Sequence, residues 1–102
     1  MRLSEKIVKI LEKAGVPKSD IYTLEQQSDH ALILAERCDP RAIRNLRSLT
    51  LFYRRIADKL DKAKKKGLIS LEEWSEASGA VYRVMDSTES KVIEDLDICI
   101  RK

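Results

Sequence analysis

Six basic residues near the middle of the chain offer the first recognisable chemistry. Arg44, Arg47, Arg54, Arg55, Lys59 and Lys62 share one face of a helix when placed at about 100° per residue. Leu51 falls in the middle of that face and Phe52 at its edge. Arginine guanidinium groups are planar forks that match phosphate oxygens. Phosphate contacts dominate sequence-independent affinity for nucleic acids. The face therefore predicts an anionic partner, nucleic-acid backbone ahead of an acidic protein. Trp74 and Tyr53 fall on interior positions, which leaves no aromatic platform for stacking single strands. No helix-turn-helix spacing marks base-specific reading. The plainer reading is a solvated face, partly neutralised by Glu72, Glu73, Glu76, Asp86 and Glu89 of the next segment.

Cys38 and Cys99 are the only cysteines. They close the second and fourth helical segments, which run the same way in an alternating bundle. Counting outward from a turn centred near residue 68 puts both thiols at one end and at similar height. The simpler reading is two buried small hydrophobes. The sharper one is a disulfide, unusual in reducing cytosol except among hyperthermophiles. High charge with only one Asn and two Gln points in the same thermophile direction.

Catalytic chemistry finds little footing. His30 is the only histidine, too little for a metal centre at ligand spacing. There is no Gly-rich phosphate loop, no H-E-x-x-H and no nucleophile elbow. The pair Glu72-Glu73 opens a helix, where carboxylates serve the helix dipole. Lys62-x-Lys64-x-Lys66-Gly67-Leu68-Ile69-Ser70-x-x-Glu73 resembles the second half of an EF-hand calcium loop. Its would-be oxygen ligands are three lysines, which cannot coordinate Ca²⁺. The expectation is no enzyme, no cofactor, no metal and no small-molecule substrate.

Charge is divided unevenly along the 102 residues. Residues 1–39 carry 6 basic and 7 acidic groups, residues 40–69 carry 10 and 2, and residues 70–102 carry 4 and 8. The middle third is thus strongly cationic within a chain of net charge +3.

The elements that must position these groups all read as helices. Leu3, Ile7, Ile10, Leu11 and Ala14 keep helical spacing, and Gly15 followed by Pro17 stops the run. A second helix starts near Ser19 to Thr23, each a candidate N-cap. Leu24, Ala31, Leu34, Ala35 and Cys38 form its inner face, and Asp39-Pro40 ends it. Asp39 at N-cap and Pro40 at N1 open the third helix, over residues 40–66. Its Ala42, Leu46, Leu49, Tyr53, Ile56, Leu60 and Ala63 alternate spacings of four and three, a heptad seam. Gly67 ends it.

Ser70 and Glu73 form a capping box for the fourth helix, with Ile69 and Trp74 placed as a hydrophobic staple. Trp74, Ala77, Val81, Met85, Thr88, Val92, Leu96 and Cys99 continue its inner stripe. Asp86-Ser87-Thr88-Glu89-Ser90 is weakly helical, and leaves open a kink there. Ser75, Ala77, Ser78, Gly79 and Ala80 form a small-residue patch, which reads first as a close helix crossing inside the fold and second as a dimer contact.

Short connections favour antiparallel neighbours. The expected fold is all-α, one domain over residues 1–102. It is an up-down-up-down four-helix bundle with a long antiparallel hairpin of the third and fourth helices. The first helix is basic on one face but lacks an aromatic anchor, so it reads as a core helix rather than a membrane-surface one. No segment is apolar enough to span a bilayer, and no signal peptide opens the chain, so the expected location is cytoplasmic. The expected function is a small accessory protein whose basic face meets nucleic-acid backbone. The alternative is an adaptor or structural subunit that self-associates through the hairpin, with Leu51, Phe52 and Gly79 at the interface.

Overall fold

Three of the chain's helices stop by one backbone device, and that device sets the fold's corners. A computed structural model describes residues 2–101. The helices are α1 (Glu5–Lys13), α2 (Lys18–Glu36), α3 (Arg41–Lys65) and α4 (Leu71–Arg101). Past α1, the Val16 amide donates to the Leu11 carbonyl at 2.9 Å, and Gly15 takes φ 86°. Past α3, the Leu68 amide donates to the Ala63 carbonyl at 2.9 Å, and Gly67 takes φ 73°. Past α2, the Asp39 amide donates to the Leu34 carbonyl at 2.9 Å, but the left-handed residue is Cys38, at φ 58°. A left-handed residue after the last turn satisfies carbonyls that the helix leaves orphaned, and glycine is its usual occupant.

Helix starts are as specific. The Ser4 hydroxyl accepts from the Ile7 amide at 3.3 Å. The Ser70 hydroxyl accepts from the Glu73 amide at 3.0 Å, and the Glu73 carboxylate accepts from the Ser70 amide at 2.9 Å, completing the capping box. Asp39 accepts from the Arg41 amide at 2.9 Å, with Pro40 already at helical angles. The start of α2 differs from the sequence expectation. It begins at Lys18, just ahead of those candidates, after Pro17 and with no side-chain cap, because proline's fixed φ sets the entry.

Direction alternates along the chain. Asn45 Nδ2 donates to Gln27 Oε1 at 2.9 Å, and Lys59 faces Asp20 across α3 and α2. Trp74 Nε1 donates to Asp61 Oδ1 at 2.8 Å, and Tyr53 meets Tyr82 edge-on at 6.1 Å between centroids across α3 and α4. The structure is thus an all-α bundle of four helices with a long α3–α4 hairpin.

The heptad seam of α3 faces inward. Ala42, Leu49, Ile56, Leu60 and Ala63 are buried, and Leu46 and Tyr53 half-buried. Packing against it is one large cluster that includes Leu11, Leu24 and Val81, and a small second cluster of Ala31, Ala35, Ala42 and Val92. α4 runs unbroken through residues 86–90. Tertiary packing decides this against weak local propensity. Thr88 lies in the interior, its hydroxyl donating to the Val84 carbonyl at 2.6 Å. That hydroxyl then accepts from Ser28, also at 2.6 Å.

Candidate nucleic-acid interface

The inward seam turns the opposite side of α3 to solvent. Arg44, Arg47, Arg54 and Arg55 are all exposed, and Leu51 keeps 60% of its surface. None of the four arginines forms an ion pair among the described residues. Arg55 lies over the half-buried Phe52 ring, 5.2 Å from its centroid. That contact steadies the arginine stem without neutralising its charge.

The other two basic residues are placed differently. Lys59 reaches back to Asp20 on α2 at 3.9 Å. Lys62 pairs with Asp58 one turn earlier, at 3.0 Å. Asp58 shares the basic face by its helical position, and its i,i+4 spacing to Lys62 is the cue that foretells this pair. The members of the face that form no ion pair among the described residues therefore run from Arg44 to Arg55.

Acids on α4 do not turn to these arginines. Glu73 pairs with Lys13 and Glu76 with Lys6, both at 3.0 Å and both on α1. Asp86 and Glu89 form no ion pair among the described residues. The backbone amide of Ser70 and then the Lys13 ammonium hold the Glu73 carboxyl below the usual carboxylate range. Glu76 beside Lys6 raises that ammonium's pKa.

Cys38 and Cys99 are joined by a disulfide that ties the end of α2 to the last turns of α4. Cys38 is exposed and Cys99 half-buried, so the pair does not form the buried hydrophobes of the simpler reading. Gly79 is half-buried on α4, and a Cβ there would meet only the Arg83 guanidinium, at 3.9 Å. Of the same small-residue patch, Ala77 is fully buried and Ala80 packs against the core. The Glu73 side chain, last of the EF-hand-like string, is engaged by Ser70 and Lys13. His30 is exposed on α2. Among the described residues no cluster of three His, Cys, Asp or Glu could hold a metal ion. Among them no helix is long and apolar enough to cross a membrane.

A cleft of about 380 Å³ between α1 and α4 is walled by Lys6, Lys13, Glu73 and Glu76, which pair with one another. Compared with protein-family models, curated proteins and solved structures, the chain matches none.

Proposed function

We propose that this is a small non-enzymatic binding protein whose α3 face grips nucleic-acid backbone without strong sequence preference. One observation carries the reading: Arg44, Arg47, Arg54 and Arg55 surround an exposed Leu51 with no acidic side chain among the described residues paired to any of them. Guanidinium forks held on a rigid helix suit phosphate oxygens. Asp58 and Asp61 bound the surface toward the end of α3, so the gripping region covers about three turns, or some 17 Å of helix. The absence of exposed aromatic residues between the arginines favours duplex over single strand.

The test is fluorescence anisotropy of a short labelled duplex at stepped salt. Four phosphate contacts give a slope of log affinity against log salt near about −3.6. The Arg44→Glu/Arg55→Glu variant should lower affinity at least about tenfold for duplexes of unrelated sequence alike. A salt-independent affinity, or one that this variant leaves intact, would remove nucleic-acid backbone as the partner.

A further inference from the structure

The α3–α4 groove has a second exposed face, turned away from α2, and its charges are arranged in two opposed rows. On α3, Ile43, Arg47, Thr50 and Arg54 fall within about 60° of one another around the helix. On α4, Tyr82, Asp86, Glu89, Ile93 and Ile100 do the same. Both rows flank one groove. Tyr82 meets Tyr53 of α3, and Ile43 lines a concavity of about 320 Å³ with Leu96 and Ile100. The apolar members are unusually bare for a bundle: Ile43 keeps 49% of its surface, Ile93 58% and Ile100 84%. Isolated exposed hydrophobics are ordinary, but a contiguous set rimmed by charge marks an interaction surface.

The charge pattern selects the occupant. The Tyr53–Tyr82 and Asp61–Trp74 contacts fix the antiparallel register. They put Arg47 at the height of Glu89 and Arg54 at the height of Tyr82, with Asp86 at a height between the two arginines. None of these four charges forms an ion pair within the chain among the described residues. One row is cationic and the other anionic, with the isoleucines toward the disulfide end of both. A surface of that kind is complementary to itself.

We propose that this face is a dimer interface between two copies of the chain, related by a twofold axis that runs along the α3–α4 groove. That rotation lays α3 of each copy over α4 of the other at unchanged height. Arg47 then lies opposite Glu89 of the second copy, and Asp86 of that copy falls between Arg47 and Arg54, twice over. Ile43, Ile93 and Ile100 of the two copies collect at one end. A twofold across the helices would instead stack α3 on α3 and set arginine against arginine, a repulsive arrangement. Isologous pairing through one shared patch is the commonest form of small oligomer. A face about 27 Å long on a molecule 20–21 Å across buries on the order of 1,000 Å² in total, the lower range of specific interfaces. The dimer is accordingly one that dissociates on dilution. This interface replaces Leu51 and Phe52 as the contact and keeps the α4 side on which Gly79 lies. Arg44, Arg55 and Leu51 point away from it and stay open to duplex in the dimer, whereas Arg47 and Arg54 serve both surfaces, so duplex and second copy compete for those two.

Light scattering across a dilution series reads the mass directly. The expected course runs from 11.7 kDa when dilute toward twice that when concentrated, with the transition shifted to higher protein concentration by salt. Ile93→Glu should weaken association by about a hundredfold, as should Arg47→Glu/Arg54→Glu and Asp86→Arg/Glu89→Arg. All these positions are exposed, and circular dichroism checks that the variants stay helical. Combining both charge reversals in one chain should restore the dimer. A monomer at every concentration, or a dimer indifferent to these variants, would overturn the interface. Failure of the four-site variant to re-associate would overturn the twofold. Arg44→Glu/Arg55→Glu should leave the mass unchanged, so the interface and the duplex-binding proposal can each fail alone.

Discussion

At the end of the bundle where α1 lies, Leu11, Leu24 and Leu60 are fully buried among four helices. At the other end α1 is absent, and three helices meet over Ala31, Ala35, Ala42 and Val92. Alanines bring helix axes close but bury little area each, and burial stabilises roughly in proportion to apolar area. The broad end is held by side-chain volume. The narrow end is held by close approach and by the Cys38–Cys99 bond, which closes a loop of 61 residues. Each end also carries a desolvated carboxylate oxygen with no hydrogen-bond partner, Asp95 Oδ2 at the narrow end and Asp20 Oδ2 at the broad one, an arrangement that costs stability. Covalent reinforcement therefore stands where the packing is thinnest.

Cutting that reinforcement should give the largest effect. The chain-entropy relation assigns a loop of this length about 4 kcal/mol, so Cys38→Ser/Cys99→Ser should lower the urea midpoint by that equivalent. Hydrogen exchange should show the loss concentrated at the end of α4 and the start of α3, with the α1 end still protected. Cys38 adds a finer point, since it holds the left-handed position that Gly15 and Gly67 hold elsewhere. A side chain there costs about 1 kcal/mol or more. Cys38→Gly/Cys99→Ser should thus be more stable than Cys38→Ser/Cys99→Ser by roughly that amount. Equal midpoints for the two would show that the left-handed turn opens once the bond is gone.

A pair of core truncations sharpens the contrast. Leu24→Ala should cost about 3 kcal/mol, the range for a buried leucine that leaves a cavity. Val92→Ala removes less, about 2 kcal/mol. The informative quantity is each truncation's coupling to the disulfide. Val92 packs in the cluster that the bond clamps, so its cost should change by at least about 0.5 kcal/mol between oxidised and reduced protein. Leu24, near the far end, should be additive. Equal coupling at Leu24 and Val92 would mean that the bond acts on the whole chain rather than on its own end.

Most of the fold is legible in the residues, for identifiable reasons. Gly15, Gly67 and the Ser70–Glu73 box act through local backbone chemistry, and the α3 seam is periodic over its whole length. Cys38 as the stop of α2 is not legible, because cysteine carries no preference for a left-handed corner. The corner is inherited from the following turn and the bond across to Cys99. The continuity of α4 through residues 86–90 is also hidden, since it depends on Ser28, 60 positions away, meeting Thr88. For the basic face, the arginine side is read from spacing alone. The pairing of Lys59 and Lys62 turns on Asp20 and Asp58. Asp20 is brought close only by tertiary packing, whereas Asp58 is visible at i,i+4 to Lys62.

The smallest expected effect belongs to the broad end and runs through pH. Glu73 accepts from the Ser70 amide and pairs with Lys13, tying the start of α4 to the end of α1. Both contacts favour the carboxylate, so its folded pKa lies below its ordinary value. A depressed acid contributes stability that is present above its unfolded pKa and is lost as pH falls through the folded value. The window therefore opens near about pH 4.3, the ordinary glutamate pKa, and extends to lower pH. Glu73→Gln keeps a capping side chain and removes only the charge. Urea midpoints at stepped pH should show the native protein ahead of this variant at neutral pH, with the gap closing as pH falls below about 4.3. Lys13, the other half of the pair, is exposed while Glu73 is half-buried, so salt should narrow the gap as well. A gap that persists unchanged at low pH would assign the glutamate's role to packing, and would leave the broad end independent of the one charge that fastens α1 to α4 through a capping box.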